Sequence, residues 1–354
     1  MTNISSKGFI LGANSGSLNI KNSVFENINS SLLLLSDMTT SIKNATFNQV
    51  FCPKTSNSFC LLKATSSDTV EIANSSMKNI HSNVDLISLS DCTQVLLSHV
   101  RAQNMLKMNK ENFVQIFFLH ALNAQSLSIN QSSFFRIGFS GVKAKNTKII
   151  IQDSTFSNHL QTSRRLLSSQ AITDNDLYSA KLSQPIQFIV LDSSNSTLTN
   201  LSFAENSLNT LVNGGGFQIL GSGGVHILTG CIFENNQASN GGALNAKGQA
   251  NSISVLNSQF DNNQASGNGG ALAFADQSIF FVITLPNTLL LGVKDALLIS
   301  QSTFYQNTAT LGGALYLGTQ ALVVDSSSFI ENNAERGGAI ATVSSSSNFF
   351  CLID

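Results

Sequence analysis

Phe233-Glu-Asn-Asn236-Gln-Ala238 followed by Gly241-Gly242-Ala243-Leu244 is a phrase that returns from Phe260, Phe304 and Phe329. In each copy an Asn follows the Phe by three residues and an Ala by five, and Gly-Gly-Ala-(Leu/Ile) begins eight or nine residues on. A short period of this kind predicts a stacked solenoid, because one repeat cannot bury its own apolar face and only its neighbours can cover it.

The register extends toward the N-terminus in a weaker form, Asn-Ser-x-Phe-x-Asn-Ile, at Asn22 to Ile28 and with changes at Asn44 to Val50 and Asn74 to Ile80. Taking the Phe as anchor gives eleven rungs, at Phe25, Phe47, Met77, Val100, Phe134, Phe156, Phe203, Phe233, Phe260, Phe304 and Phe329. Five residues before each stands an aliphatic: Ile20, Ile42, Ile72, Val95, Ile129, Ile151, Leu198, Leu228, Val255, Ile299 and Val324. Leu18, Val70, Leu127, Ile149, Ile253, Leu297 and Leu322 lie two residues earlier again, which is strand periodicity. Asn22, Asn44, Asn74, Asp153, Asn200 and Asn257 precede the anchor by three, where a turn tolerant of left-handed backbone is expected.

Each rung therefore reads as strand, Asn turn, short strand through the Phe, second Asn turn, and a Gly-Gly corner into a third strand. Three strands per coil define an all-β fold, a right-handed parallel β-helix of about eleven rungs. Equivalent residues should lie roughly 4.8 Å apart in ladders, with Phe rings stacked and Asn amides exchanging hydrogen bonds. We read one continuous solenoid, with rungs of the first type over 1–210 and of the Gly-Gly-Ala type over 211–354. Loops are expected at 104–122, 160–184 and 276–294, and either of the long intervals, Phe156 to Phe203 or Phe260 to Phe304, could instead hide a twelfth rung.

Charged residues make up 11% of the chain and the net charge is −1, which argues against a nucleic-acid partner. No segment reads as transmembrane, and Met1 to Phe9 lacks the apolar core of a signal peptide. Neither end shows a cap, so the chain reads as a piece of a longer protein whose ends continue into further rungs or self-associate. Of the cysteines, Cys52 and Cys60 are close enough to close a loop; the other reading is that they are small hydrophobes in the solenoid wall. Three of the Asn-x-Ser/Thr triplets, at Asn44, Asn74 and Asn200, coincide with the turn Asn of the repeat.

The paired phrases Phe233/Asn236, Phe260/Asn263, Phe304/Asn307 and Phe329/Asn332, each with its Gly-Gly-Ala, resemble the repeats of the polymorphic outer membrane protein family. A partial fifth copy pairs Phe203 and Asn206 with Gly215-Gly216, with Phe217 in the Ala position. The N-terminal half is similar to the pectate-lyase-like superfamily only at the level of a β-helix. The resemblance implies a surface-exposed rod used in adhesion, part of a larger cell-surface or membrane-anchored protein; because inserted loops on a rigid scaffold carry binding specificity, we expect a cell-surface protein, matrix protein or glycan to be held by them.

The competing reading is a carbohydrate-active enzyme, which needs converging carboxylates or a calcium site beside a base. Asp68, Asp91 and Asp295, nine residues before their anchors, and Asp37, ten before, are the candidates, and Asp68 over Asp91 could hold a calcium ion. An Asp that closes a turn before a strand explains them as well. His81, His99, His120, His159 and His226 fall in unrelated columns, and the chain has no Trp for a sugar platform. The dense polar cluster is Arg164, Arg165, Asp174 and Asp176 in the 160–184 loop. On the sequence we assign no catalytic, cofactor-binding or metal-binding residue and expect a non-catalytic scaffold.

Overall fold

The computed structural model describes residues 5–52, 59–107, 117–137, 140–157, 189–192, 194–206, 214–221, 223–248, 251–275, 283–285, 288–290, 296–318, 321–342 and 350–353. Every regular element among them is a β-strand. Strands alternate buried and outward residues, as in Gln94–Ser98, where Val95 and Leu97 point inward. Nearly all pair in parallel with their counterparts one coil away, forming right-handed parallel β-helices. The coils divide into two compact units, one within Met1–Lys143 and one comprising Ala144–Ser157 and Ile189–Asp354.

In the first unit Phe25 lies opposite Phe47, Phe47 opposite Met77, Met77 opposite Ala102, and Ala102 opposite Phe134. The fourth anchor is therefore Ala102 and not Val100, and its aliphatic partner is Leu97 and not Val95. Val95 belongs to the column of Leu18, Thr40, Val70 and Leu127. The error is a slip of two, the shift that returns a strand's side chains to the same face. Both columns stay apolar under it, so hydrophobic pattern cannot detect it. Where Ala102 interrupts the ladder, the buried Phe118 supplies a ring that meets Phe134 edge-on at 5.1 Å.

In the second unit Phe156, Phe203, Phe233, Phe260, Phe304 and Phe329 stack ring on ring, with centroids 4.7 to 5.0 Å apart. Phe156 pairs directly with Phe203 and Phe260 directly with Phe304, so neither long interval hides a coil. Phe350–Ile353 adds instead the first strand of a further coil, laid on Ala321–Asp325. The insertion at 104–122 is also shorter than expected, since Arg101–Lys107 and Phe117–Leu122 are both strands of the coil. Within 276–294, Ile283–Leu285 and Thr288–Leu290 form an antiparallel hairpin, and the rest, with all of 160–184, lies outside the described residues.

The corners follow the backbone demand read from the sequence. Asn22, Asn44, Asn74, Asp153, Asn200 and Asn257 all have φ between 47° and 53°. His99, Gln131, Gln301 and Ser326 hold the same corner at similar φ, so position and not residue type defines it. Behind the Phe ladder runs a buried Asn ladder. Nδ2 of Asn236 donates to Oδ1 of Asn263 at 2.9 Å and to the carbonyl of Phe203 at 3.0 Å, and Asn206, Asn263 and Asn307 repeat the pattern.

The Gly-Gly corner has two separate causes. Its first glycine, as at Gly241, is left-handed at φ 59°, which glycine adopts at no steric cost. Its second, as at Gly242, has no room for a Cβ, whose position would lie 2.2 Å from the carbonyl oxygen of Gly270 in the next coil. Gly214, at φ 73°, is the first glycine of the partial copy. Phe217 accordingly lies opposite Leu244, so it replaces the Leu and Gly216 replaces the Ala, one position from the sequence alignment.

Candidate functional site

Because the fourth anchor moves by two, Asp91 leaves the column of Asp68. Asp91 takes the left-handed corner at φ 55° that Asp37 and Ser66 also occupy, and its Oδ1 accepts a hydrogen bond from Nδ2 of Asn123 at 3.2 Å. The carbonyl of Asp68 accepts from Gln94 N, two steps further along the coil. The stacked carboxylate pair that could hold calcium therefore does not form. Asp295, His159, Arg164, Arg165, Asp174 and Asp176 lie outside the described residues. Among the described residues no cluster of three or more His, Cys, Asp or Glu side chains is placed to hold a metal.

The histidines divide by environment. His99 is a corner residue, and His81 meets the ring of Phe51 edge-on at 5.0 Å. His226 and His120 each acquire a polar partner that sequence columns did not reveal.

His226 lies opposite Ser196 in the next coil, with Nδ1 3.0 Å from the Ser196 hydroxyl. This is the spacing of a nucleophile and its base, but Ser196 is 3% exposed and His226 1%. Both point into a column that later coils fill with Ile253, Leu297 and Leu322. Burial pushes the His226 pKa down to about 4, offset only in part by the Asn251 side chain, so the imidazole is neutral at pH 7. Nε2 has no hydrogen-bond partner. Among the described residues the pair is a buried core feature.

Above it, Asn146, Thr147, Lys148, Ser194, Asn195, Gly223 and Gly224 line a shallow polar groove of approximately 350 Å³. Gly224 separates groove from core, for a Cβ there would stand 2.5 Å from His226 Nε2.

His120 is the outward counterpart, in the first unit. Its Nδ1 sits 3.0 Å from Oδ2 of Asp85, whose Oδ1 accepts from the backbone N of Phe117 at 2.8 Å. The two side chains are 30% and 18% exposed. Ser88 and Lys63 neighbour His120 in register on successive coils, and Lys143 Nζ lies 5.2 Å from the centre of the Phe117 ring. The carboxylate orients the imidazole and holds the Phe117 amide, while the Phe117 ring is itself buried, so what the group presents outward is polar. Ser88 makes no hydrogen bond to His120, so the arrangement holds an oriented base but no activated nucleophile.

Two further sequence readings resolve. Cys52 and Cys60 form a disulfide. Cys92 and Cys231 are free thiols, both buried, and burial pushes the Cys231 thiol up to about 11. Of the turn Asn residues in glycosylation triplets, Asn44 donates through Nδ2 to Oδ1 of Asn22 and Asn200 to Oδ1 of Asp153, each at 3.0 Å.

Comparison with known families finds the Chlamydia polymorphic membrane protein repeat at residues 230–247 and 257–275. These are the Phe233 and Phe260 phrases with their Gly-Gly corners, so the likeness rests on residues that build the stack. No curated protein matches the chain.

Proposed function

We propose that this chain is a non-catalytic β-helical scaffold that works at a cell surface as part of an adhesion module. The observation that carries the reading is where the polar side chains go. Asn206, Asn236, Asn263, Asn307 and Asn332 are consumed in a ladder that joins coil to coil, and the Ser196–His226 pair is sealed in the core. Such commitments favour a rigid support over a reaction centre. The repeat is one of a membrane protein family, and the Cys52–Cys60 disulfide suits an oxidising compartment such as the cell exterior. Binding specificity on such a support resides in its inserted loops, here 160–184 and 276–294, with a surface protein or glycan as ligand.

The test is adhesion of the purified chain to cells and to immobilised matrix proteins and glycans, with and without each loop. Saturable binding that is lost on deletion of 160–184 or 276–294, in a protein that keeps its β-sheet circular dichroism, is the expected result. Depolymerisation of a glycan on incubation with calcium would overturn the reading in favour of a carbohydrate-active enzyme.

A further inference from the structure

Asn195 opens the triplet Asn195-Ser196-Thr197, which has the form of an N-glycosylation acceptor in a secreted chain. A glycan is attached before a coil closes, so the fold constrains the product: the modified nitrogen must face open space and the coil must still stack. Asn195 meets both demands. Its carbonyl accepts from Ile149 N in the coil before at 2.9 Å, and its Oδ1 accepts from Val225 N in the coil after, also at 2.9 Å. The side chain is thus anchored through the oxygen that a glycosylated Asn retains, and Nδ2 has no partner among the described residues. Asn195 is exposed and Thr197 half-exposed on the same outward face, whereas Ser196 between them is buried.

There is also room for a sugar. Asn195 lines the polar groove of approximately 350 Å³, a volume in the range of small-ligand sites. Gly223 and Gly224 put no side chain into it, and a Cβ on Gly223 would meet nothing within 4 Å. Lys148 offers a hydrogen-bond donor on one side, and Val225, 51% exposed, adjoins Asn195 on the other. The other described triplets lack this setting. Asn44, Asn74 and Asn200 stand in the stacked corner column, where Asn44 and Asn200 donate through Nδ2 to the corner residue of the coil before. A Cβ on Gly230, one coil after Asn200, would stand only 2.6 Å from Asn200 Oδ1. Ser31 and Ser132, which complete the Asn29 and Asn130 triplets, are buried.

We propose that Asn195 carries an N-linked glycan whose first sugar lies in this groove. The donor is an oligosaccharide on a lipid diphosphate. A bond forms between Nδ2 and the anomeric carbon, the bond from that carbon to the diphosphate oxygen breaks, the lipid diphosphate leaves, and the amide gives up one proton to the transferase. The site shares with the proposed function only the oxidising compartment that the Cys52–Cys60 disulfide suits, and it requires neither adhesion nor the inserted loops.

The test directs the full chain into the secretory pathway of a eukaryotic cell with an added signal peptide, recovers it from cells and medium, and maps its peptides by mass spectrometry before and after peptide N-glycosidase. Conversion of position 195 to Asp by the enzyme, loss of one glycan in Asn195→Gln and in Thr197→Val, and its retention in Thr197→Ser are expected. With the glycan trimmed to its first sugar, labelling of Lys148 by an amine-reactive reagent should be severalfold slower than in Thr197→Val. An unmodified Asn195, or a glycan on Asn44 or Asn200 with Asn195 bare, would overturn the proposal, and equal labelling of Lys148 would overturn the placement in the groove. Failure of the glycosylated chain to adhere to cells would count against the proposed function alone.

Discussion

The carbonyl oxygen of Gly338 lies 2.1 Å from the position a Cβ on Gly313 would occupy. The two glycines are equivalent in sequence and opposite in constraint. Gly313→Ala must push backbone against backbone in the adjacent coil, which should cost about 3 kcal/mol or more. Gly338→Ala meets no described atom closer than 3.6 Å and should change stability by less than about 0.5 kcal/mol. Urea denaturation of both variants checks the pair, and equal losses would refute the steric account.

The Asn ladder makes a second graded prediction. Asn263 accepts from the N and Nδ2 of Asn236 and donates to the Phe233 carbonyl and to Asn307 Oδ1, all buried. Asn263→Ala leaves several of these groups unpaired, at roughly 1 to 3 kcal/mol each, so a loss of about 4 kcal/mol is expected. Asn332→Ala, at the exposed end, should lose less than half as much. Unfolding of a repeat stack need not be all-or-none, so amide hydrogen exchange across neighbouring coils is the sharper readout.

His226 makes stability depend on pH. Its folded pKa of about 4 lies below an unfolded value of about 6.5, so the unfolded chain binds more protons between them. The neutral-imidazole contribution is complete above pH 6.5, falls as pH drops through that window, and is lost below pH 4. The integrated loss is about 3 kcal/mol at 1.36 kcal/mol per pKa unit. His226→Ile with Ser196→Val restores the aliphatic pattern of the column and should flatten the melting temperature between pH 7 and pH 4.5. A parent-like acid slope in that double variant would show that the sensitivity arises elsewhere.

The cysteines should react in two classes. Alkylation of the native chain without reductant should modify neither Cys92 nor Cys231, because both thiols are buried and burial raises their pKa. Peptide mapping should recover Cys52 linked to Cys60. Breaking that link with Cys52→Ser and Cys60→Ser should cost about 2.5 kcal/mol on the loop-entropy estimate for a short loop. Rapid alkylation of native Cys231 would contradict the packing of its coil.

Much of this architecture is legible in one dimension, since a stacked coil repeats the same local demand. The Phe203 to Phe329 ring ladder, the inward aliphatics and the left-handed Asn corners at Asn22, Asn44 and Asn74 follow from local sterics and period-two burial, and all were readable. Register within an apolar strand was not, because a shift of two preserves the inward face; only the pairing of Met77 with Ala102 separates Asp68 from Asp91. Contacts across coils were equally hidden. Ser196 meets His226 across 30 residues and Asp85 meets His120 across 35, distances set by the loop lengths of particular coils. The sequence alone determined the repeating unit and the ladders that hold it, which depend on short-range geometry. The tertiary structure decided which polar groups meet, which are sealed, and which glycines lie directly under a carbonyl of the next coil, because those depend on where each coil lands on the one before it.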